Sequence, residues 1–221
     1  MPPDRGRPRL RFSPRAWLKF LYLCHAGPTE VAAFGLTREA DPLLVEDLLV
    51  VKQRATAATV AFDDAAVADL FERMADRGVP PDRFARVWLH THPGSSVTPS
   101  PVDEATFDRV FGACDWAVMG ILGRTGRTYA RLRFSVGPGA AMVTSTTVEW
   151  ADWPAYAQSP QFQKDLGSWR AEYDRLVEPV IPQSGGDFIS QIFADPFADG
   201  PFDWLDGDDA FDPRRYPDAF P

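Results

Sequence analysis

The sequence predicts an α+β fold, a curved mixed β-sheet flanked by helices, and three observations carry that prediction. Short segments rich in β-branched and aromatic residues are interleaved with segments whose apolar residues recur every three or four positions. The run Ala117-Val118-Met119-Gly120-Ile121-Leu122 is apolar without interruption, as a central strand covered on both faces requires. Ser-Pro or Asp stands just ahead of the helical segments, where it can cap a first turn.

Ser13-Pro14 opens a helix that carries Trp17, Leu18, Leu21 and Tyr22 and stops at Gly27. Residues 30–36 and 43–54 read as strands joined by a turn around Asp41-Pro42, and 59–62 as a further short strand. Asp63 or Asp64 caps a helix with Val67, Leu70, Phe71 and Met74 at helical spacing, ended by Gly78 and Pro80-Pro81. Residues 86–92 form a strand that closes at Pro93, and a turn-prone loop over 94–99 leads to a helix starting at Ser100-Pro101 with Phe107, Val110 and Phe111. After the central strand, Leu132, Phe134 and Val136 alternate with Arg131, Arg133 and Ser135 as a one-sided strand does, and 141–150 adds the last strand. Ser159-Pro160 begins a final helix whose Phe162, Leu166, Trp169, Tyr173, Leu176 and Val180 suit core packing. The organisation is thus a main domain over 1–158, a helix over 159–181 packed on it, and an acidic aromatic tail over 182–221, flexible or partner-binding.

With 221 residues and 45% apolar content the chain can bury one good core. Nothing reaches the roughly 18 apolar residues of a membrane span, and Arg5, Arg7, Arg9 and Arg11 are not followed by a signal-type core. A soluble cytoplasmic protein with no membrane partner is expected. Cys24 and Cys114 belong to no Cys-x-x-Cys pair, so both read as buried small hydrophobes rather than metal or disulfide cysteines. The net charge of −8 is concentrated in residues 187–221, which hold nine aspartates and two arginines. The body is near neutral and shows no basic stripe for nucleic acid.

The chemistry is concentrated in His90-Thr91-His92-Pro93 and Ser100-Pro101-Val102-Asp103. Side chains two apart on a strand share a face, so His90 and His92 can converge on one ion. Ser100 and Asp103 have the spacing of a helix N-cap with an acidic third residue, and Asp103 can fold back there as a third ligand. Two imidazoles and a carboxylate leave a fourth tetrahedral position for water, the mark of a catalytic rather than a structural zinc site. The chain has three histidines, and two of them stand beside that cap. Zn2+ is therefore the expected cofactor.

The segment resembles the JAMM, or MPN-plus, zinc metalloprotease family, deubiquitinase-like and of prokaryotic type. That family's signature is His-x-His-Pro, six further residues, then Ser-x-x-Asp, with a glutamate far upstream. His90, His92, Pro93, Ser100 and Asp103 fill the downstream half. The resemblance implies an MPN or JAB-like fold, with residues 1–158 as the metalloprotease domain. It implies zinc held by His90, His92 and Asp103, Glu30 moving the proton, and Ser100 donating a hydrogen bond to the oxyanion. Glu30 precedes an apolar strand as the family's glutamate does; Ala33 stands where the family often has glycine, and Glu39 and Glu46 are fallback candidates. By resemblance the activity is a zinc-dependent isopeptidase or peptidase cleaving at the C-terminus of a ubiquitin-like protein, for precursor maturation or deconjugation. Its partners would be that protein or its conjugates and the activating or conjugating enzymes of the same pathway. The alternatives are a peptidase of the same chemistry acting on a sulfur-carrier protein or small amide, and a non-catalytic MPN scaffold.

Overall fold

Residues 7–181 are described by a computed structural model. Strand β1 (Leu10–Phe12) leads into helix α1 (Pro14–His25). The Ser13 hydroxyl caps this helix by accepting from the Ala16 amide at 3.2 Å, and Pro14 occupies the first turn, where no amide donor is needed. Strands β2 (Ala32–Arg38) and β3 (Asp41–Val50) pair antiparallel and are followed by the short strands β4 (Gln53–Ala55) and β5 (Val60–Phe62). Helix α2 (Asp64–Asp76) is capped by Asp63, which accepts from the Ala66 amide at 3.0 Å. Then come β6 (Val87–His92), α3 (Pro101–Phe111), β7 (Trp116–Gly123), β8 (Thr128–Phe134), β9 (Ala140–Thr144) and β10 (Thr146–Val148). The short helix α4 (Trp153–Ala157), helix α5 (Pro160–Leu176) and strand β11 (Val177–Pro179) complete the described chain.

Eight strands form one mixed sheet in the order β10-β1-β3-β2-β6-β7-β8-β9, and β11-β4-β5 form a second, smaller one. The two ends of the large sheet, β9 and β10, are consecutive in sequence with only Ser145 between them, and the Ser145 carbonyl accepts from the Leu10 amide at 3.0 Å. The sheet is therefore curved and nearly closed on itself, and among the described residues five α-helices flank it.

Both faces of the central strand are covered. Val118 and Leu122 enter a core with Trp17, Phe20, Leu48 and Trp169, beneath α1 and α5. Ala117, Met119 and Ile121 enter a second core with Leu70, Met74, Phe107 and Phe111, beneath α2 and α3. The unbroken apolar run of β7 follows from this double burial. Gly120 leaves room for two leucines where β7 runs beside β6: a Cβ there would lie 2.7 Å from Leu89 Cδ2 and 3.2 Å from Leu10 Cδ2, so both side chains would have to shift.

Several boundaries differ from the sequence reading. The hairpin reverses at Glu39-Ala40 rather than at Asp41-Pro42, and Pro42 lies near the start of β3, where a lost amide donor is tolerated. The strand expected over 43–54 breaks between Val50 and Gln53, and the piece beyond the break turns to pair with β5 and β11. The strand expected over 141–150 divides at Ser145 into β9 and β10, which serve opposite ends of the sheet. Val136 and Val180 fall outside the elements assigned to them, and β1 and β11 carry no sequence signal of their own, being three residues each. Cys24 is buried and Cys114 half-buried, both as free thiols. Among the described residues no helix is long and apolar enough to cross a membrane. The tail assigned to 182–221 lies outside the described residues.

Candidate metal centre

Strand β6 carries Trp88, His90 and His92 on one face, the face covered by α2 and α3. His90 is 1% exposed and stacks on the Trp88 indole with ring centroids 4.3 Å apart and planes 28° apart. Asp103 belongs to the first turn of α3. Its amide donates to the Ser100 hydroxyl at 3.2 Å, while its Oδ2 accepts from the Ser100 amide at 2.7 Å. This reciprocal cap fixes the rotamer of Asp103 and leaves its carboxylate turned toward the histidines. Asp103 Oδ1 lies 3.3 Å from His90 Nε2, and Oδ2 lies 3.6 Å from His92 Nε2.

One nitrogen from each histidine and one Asp103 oxygen lie within 4.8 Å of one another, so the three residues form a group that could hold a metal ion. Ligand atoms bound about 2.0–2.1 Å from a tetrahedral ion are separated from each other by about 3.4 Å, and each histidine Nε2 lies near that distance from one Asp103 oxygen, His90 from Oδ1 and His92 from Oδ2. A second observation supports the fit. The Nε2 atoms of His90 and His92 are buried with no hydrogen-bond partner, and an unsatisfied buried nitrogen costs roughly 1–3 kcal/mol. A cation satisfies both. His90 Nδ1 is also buried without a partner.

His92 Nδ1 donates to the Ser96 carbonyl at 2.9 Å; a carbonyl can only accept, so Nδ1 carries a proton and Nε2 is the ring nitrogen left to face the site. Burial pushes the His90 imidazole below the usual histidine range, so it is neutral. Burial alone would raise Asp103, but the two imidazoles and the Ser100 amide outweigh it and hold the carboxyl well below the usual range. The ionised Asp103 and the neutral His90 are thus in the protonation states in which these side chains bind metals. Burial would lower His92, but Asp103, the Ser96 carbonyl and Glu30 outweigh it and hold the imidazole above the usual histidine range, so that a cation bound there displaces a proton.

Glu30 sits two residues ahead of β2. The Val31 amide donates to Thr91 Oγ1 and the Thr91 amide donates to the Val31 carbonyl, each at 2.9 Å, which carries the β2–β6 pairing back to the start of the strand. That register sets Glu30 beside His92, with Oε1 3.7 Å from Nε2. Glu30 is 4% exposed, and burial pushes its carboxyl up to about 7, helped by the Asp103 charge and opposed by His92. Of the fallback residues, Glu39 is exposed at the hairpin turn and Glu46 is paired with Arg38 at 2.8 Å. Ser100 is half-buried at the edge of the site, and because its oxygen accepts from Asp103, its hydroxyl proton remains to be donated. All five residues singled out in the sequence therefore meet in one place.

Four supporting residues were not singled out. Trp88 walls His90, Ser96 orients His92, Thr91 anchors the chain beside Glu30, and Gln53 replaces a missing strand. Its side-chain oxygen accepts from the Ala32 amide at 2.8 Å and its amide donates back to the Ala32 carbonyl at 2.9 Å. Only Trp88 had a local signal, its period-two spacing from the histidines. An apolar cleft of about 420 Å³ shares the Trp88 wall and runs past Ala32, Phe34, Phe62 and Val102. Among the described residues β5, on its far side, pairs with β4 alone and so has one free edge.

No protein-family model matches the chain, and no curated protein matches it either.

Proposed function

We propose that this chain is a zinc-dependent isopeptidase or peptidase of the JAMM type, with an MPN-like fold, that cleaves at the C-terminus of a ubiquitin-like protein in the cytoplasm. The observation that carries the hydrolase reading is the convergence of two unpartnered, buried Nε2 atoms on the Asp103 carboxylate. His90, His92 and Asp103 would hold the ion. Zinc bound there supplies Lewis acidity, which polarises a carbonyl and acidifies a water molecule.

The remaining work falls to the protein's own side chains. Glu30 Oε1, 3.7 Å from His92 Nε2, takes a proton from the attacking water and passes it to the leaving amine. Ser100 Oγ donates to the oxyanion, with its position fixed by the cap it makes on α3. Trp88 closes the apolar side of the pocket and limits the entry of bulk water. The cleft supports an extended substrate: a tail of small residues can pair with the free edge of β5 and lie over Phe34 and Phe62 toward the metal centre. The substrate class and the upstream activating or conjugating enzymes come from the His-x-His-Pro and Ser-x-x-Asp resemblance.

The test combines metal analysis with turnover. Purified protein should contain one equivalent of zinc, and should cleave fusions that carry a ubiquitin-like C-terminus until a chelator is added. Glu30→Gln should retain the metal and lose activity by about 10²–10⁴-fold, the range general acid–base groups contribute. Cleavage that survives chelation, or full activity in Glu30→Gln, overturns the reading.

A further inference from the structure

We propose that the acidic aromatic segment 187–221 of this chain lies back along the groove between α2 and α5, as an intramolecular occupant. The groove has a volume of about 450 Å³ and is floored by Leu70, Met74 and Leu176. Its rim carries Lys52, Arg73, Arg77 and Arg175. The three arginines are exposed and, among the described residues, make no ion pair, while Lys52 has only a distant one, 3.7 Å from Asp63. Of the two acids on the same rim, Glu172 is engaged by Lys19 at 2.7 Å, and Asp69 is the other. The groove thus offers an apolar floor and a rim of net positive charge.

The chain itself holds the complement. Residues 187–221 contain nine aspartates against two arginines, interspersed with Phe188, Phe193, Phe197, Phe202, Trp204 and Phe211. Aromatics at that spacing suit the floor, and the aspartates suit the rim. The point of departure is close by. Leu176 lines the groove, and the three residues after it form β11, bound to β4. The linker Pro182-Gln183-Ser184-Gly185-Gly186 that follows spans at most about 18 Å when extended, and its two glycines permit a reversal of direction. A tether this short holds the segment at an effective concentration on the order of millimolar, which favours it over a partner in solution. The metal centre plays no part in this inference.

The sequence supplies its own reporter, because the chain has only Lys19, Lys52 and Lys164. Lys19 is buried, Lys52 is on the rim, and Lys164 is exposed on α5 outside the groove. A zero-length carbodiimide joins a lysine amine to a carboxylate in contact with it. In the full chain, Lys52 should couple to aspartates of 187–221 in preference to Lys164, and the yield should fall about ten-fold between 0.1 and 1 M salt as the Debye length shrinks from about 10 to about 3 Å. The R73E/R77E/R175E variant should lose this cross-link; R73Q/R77Q/R175Q, which keeps most of the side-chain bulk, serves the same purpose if charge reversal impairs folding. Equal coupling to Lys164, or a cross-link that persists in these variants, overturns the proposal. So does an equimolar mixture of ¹⁴N and ¹⁵N chains in which about half of the cross-links join unlike isotopes, the share that random pairing between molecules gives, since the occupant would then be a second copy.

Discussion

At the residue scale, Ser100 has two duties that mutation can separate. Its oxygen caps α3 by accepting from the Asp103 amide, while its backbone amide, which no substitution of the side chain removes, holds the Asp103 carboxylate; in the proposed hydrolysis its hydroxyl hydrogen would serve the oxyanion. Ser100→Ala should therefore lower stability by about 1 kcal/mol, the usual loss for an N-cap, measurable as a shifted urea midpoint. It should also lower kcat by roughly 10²–10³-fold, as loss of an oxyanion donor does elsewhere, while zinc content stays the same. Ser100→Gly, which is tolerated as an N-cap and has no side-chain donor, should restore most of the midpoint and not the rate. Equal recovery of both would make the residue purely structural. His90, His92, Ser100 and Asp103 could be read from sequence because strand alternation and helix capping are local rules, satisfied within a dozen positions. Glu30 could not be placed that way. Its partnership with His92 depends on strand pairing across some sixty positions, fixed by the Val31–Thr91 hydrogen bonds, and only the family resemblance pointed to it.

At the element scale, the β2 edge beside the site is completed by a side chain. Gln53 is 1% exposed and answers both the amide and the carbonyl of Ala32, while its own amide also reaches the Val51 carbonyl at 3.0 Å. Ala32 pairs directly with His90. Gln53→Leu removes this partner from the Ala32 amide, the Ala32 carbonyl and the Val51 carbonyl and should destabilise the protein by about 2–4 kcal/mol in denaturant unfolding. Because the strand it releases positions Glu30 against His92, zinc affinity should fall as well, read by competition with a chromogenic chelator. Unchanged affinity in a destabilised variant would show that β6 and α3 hold the site without β2. The break that makes this arrangement possible, between Val50 and Gln53, was invisible in sequence. Residues 43–54 have one continuous strand-like pattern, and what divides them is competition between two sheets for pairing partners. The large helices were legible to within a few residues because each has a cap and an apolar stripe.

At the scale of the whole molecule, α1 packs between the strands of the nearly closed sheet and α5, and that packing creates a pH dependence separate from the candidate metal site. His25 ends α1; burial, reinforced by the Arg124 charge, pushes its imidazole down to about 4. In the unfolded chain the same group titrates near 6.5. Its contribution is therefore present in full above pH 6.5 and is lost as the pH falls toward 4, because the unfolded state binds the proton first. Asp165 continues the trend further into acid. Burial would raise its carboxyl, but Arg15 at 2.8 Å, Gln161 at 3.0 Å and Tyr156 at 2.8 Å hold it below the usual range, so stability that depends on its charge disappears as it is protonated. Thermal unfolding of chelator-treated protein should show a melting temperature that is flat above neutrality and declines in two stages below it. His25→Gln should flatten the first stage, between pH 6.5 and 4, and Asp165→Asn the second. Since His90 and His92 are present in both variants and the wild type, the difference between the curves isolates the α1 and α5 contributions; a His25→Gln curve parallel to wild type across that range would assign the first stage to the site histidines instead.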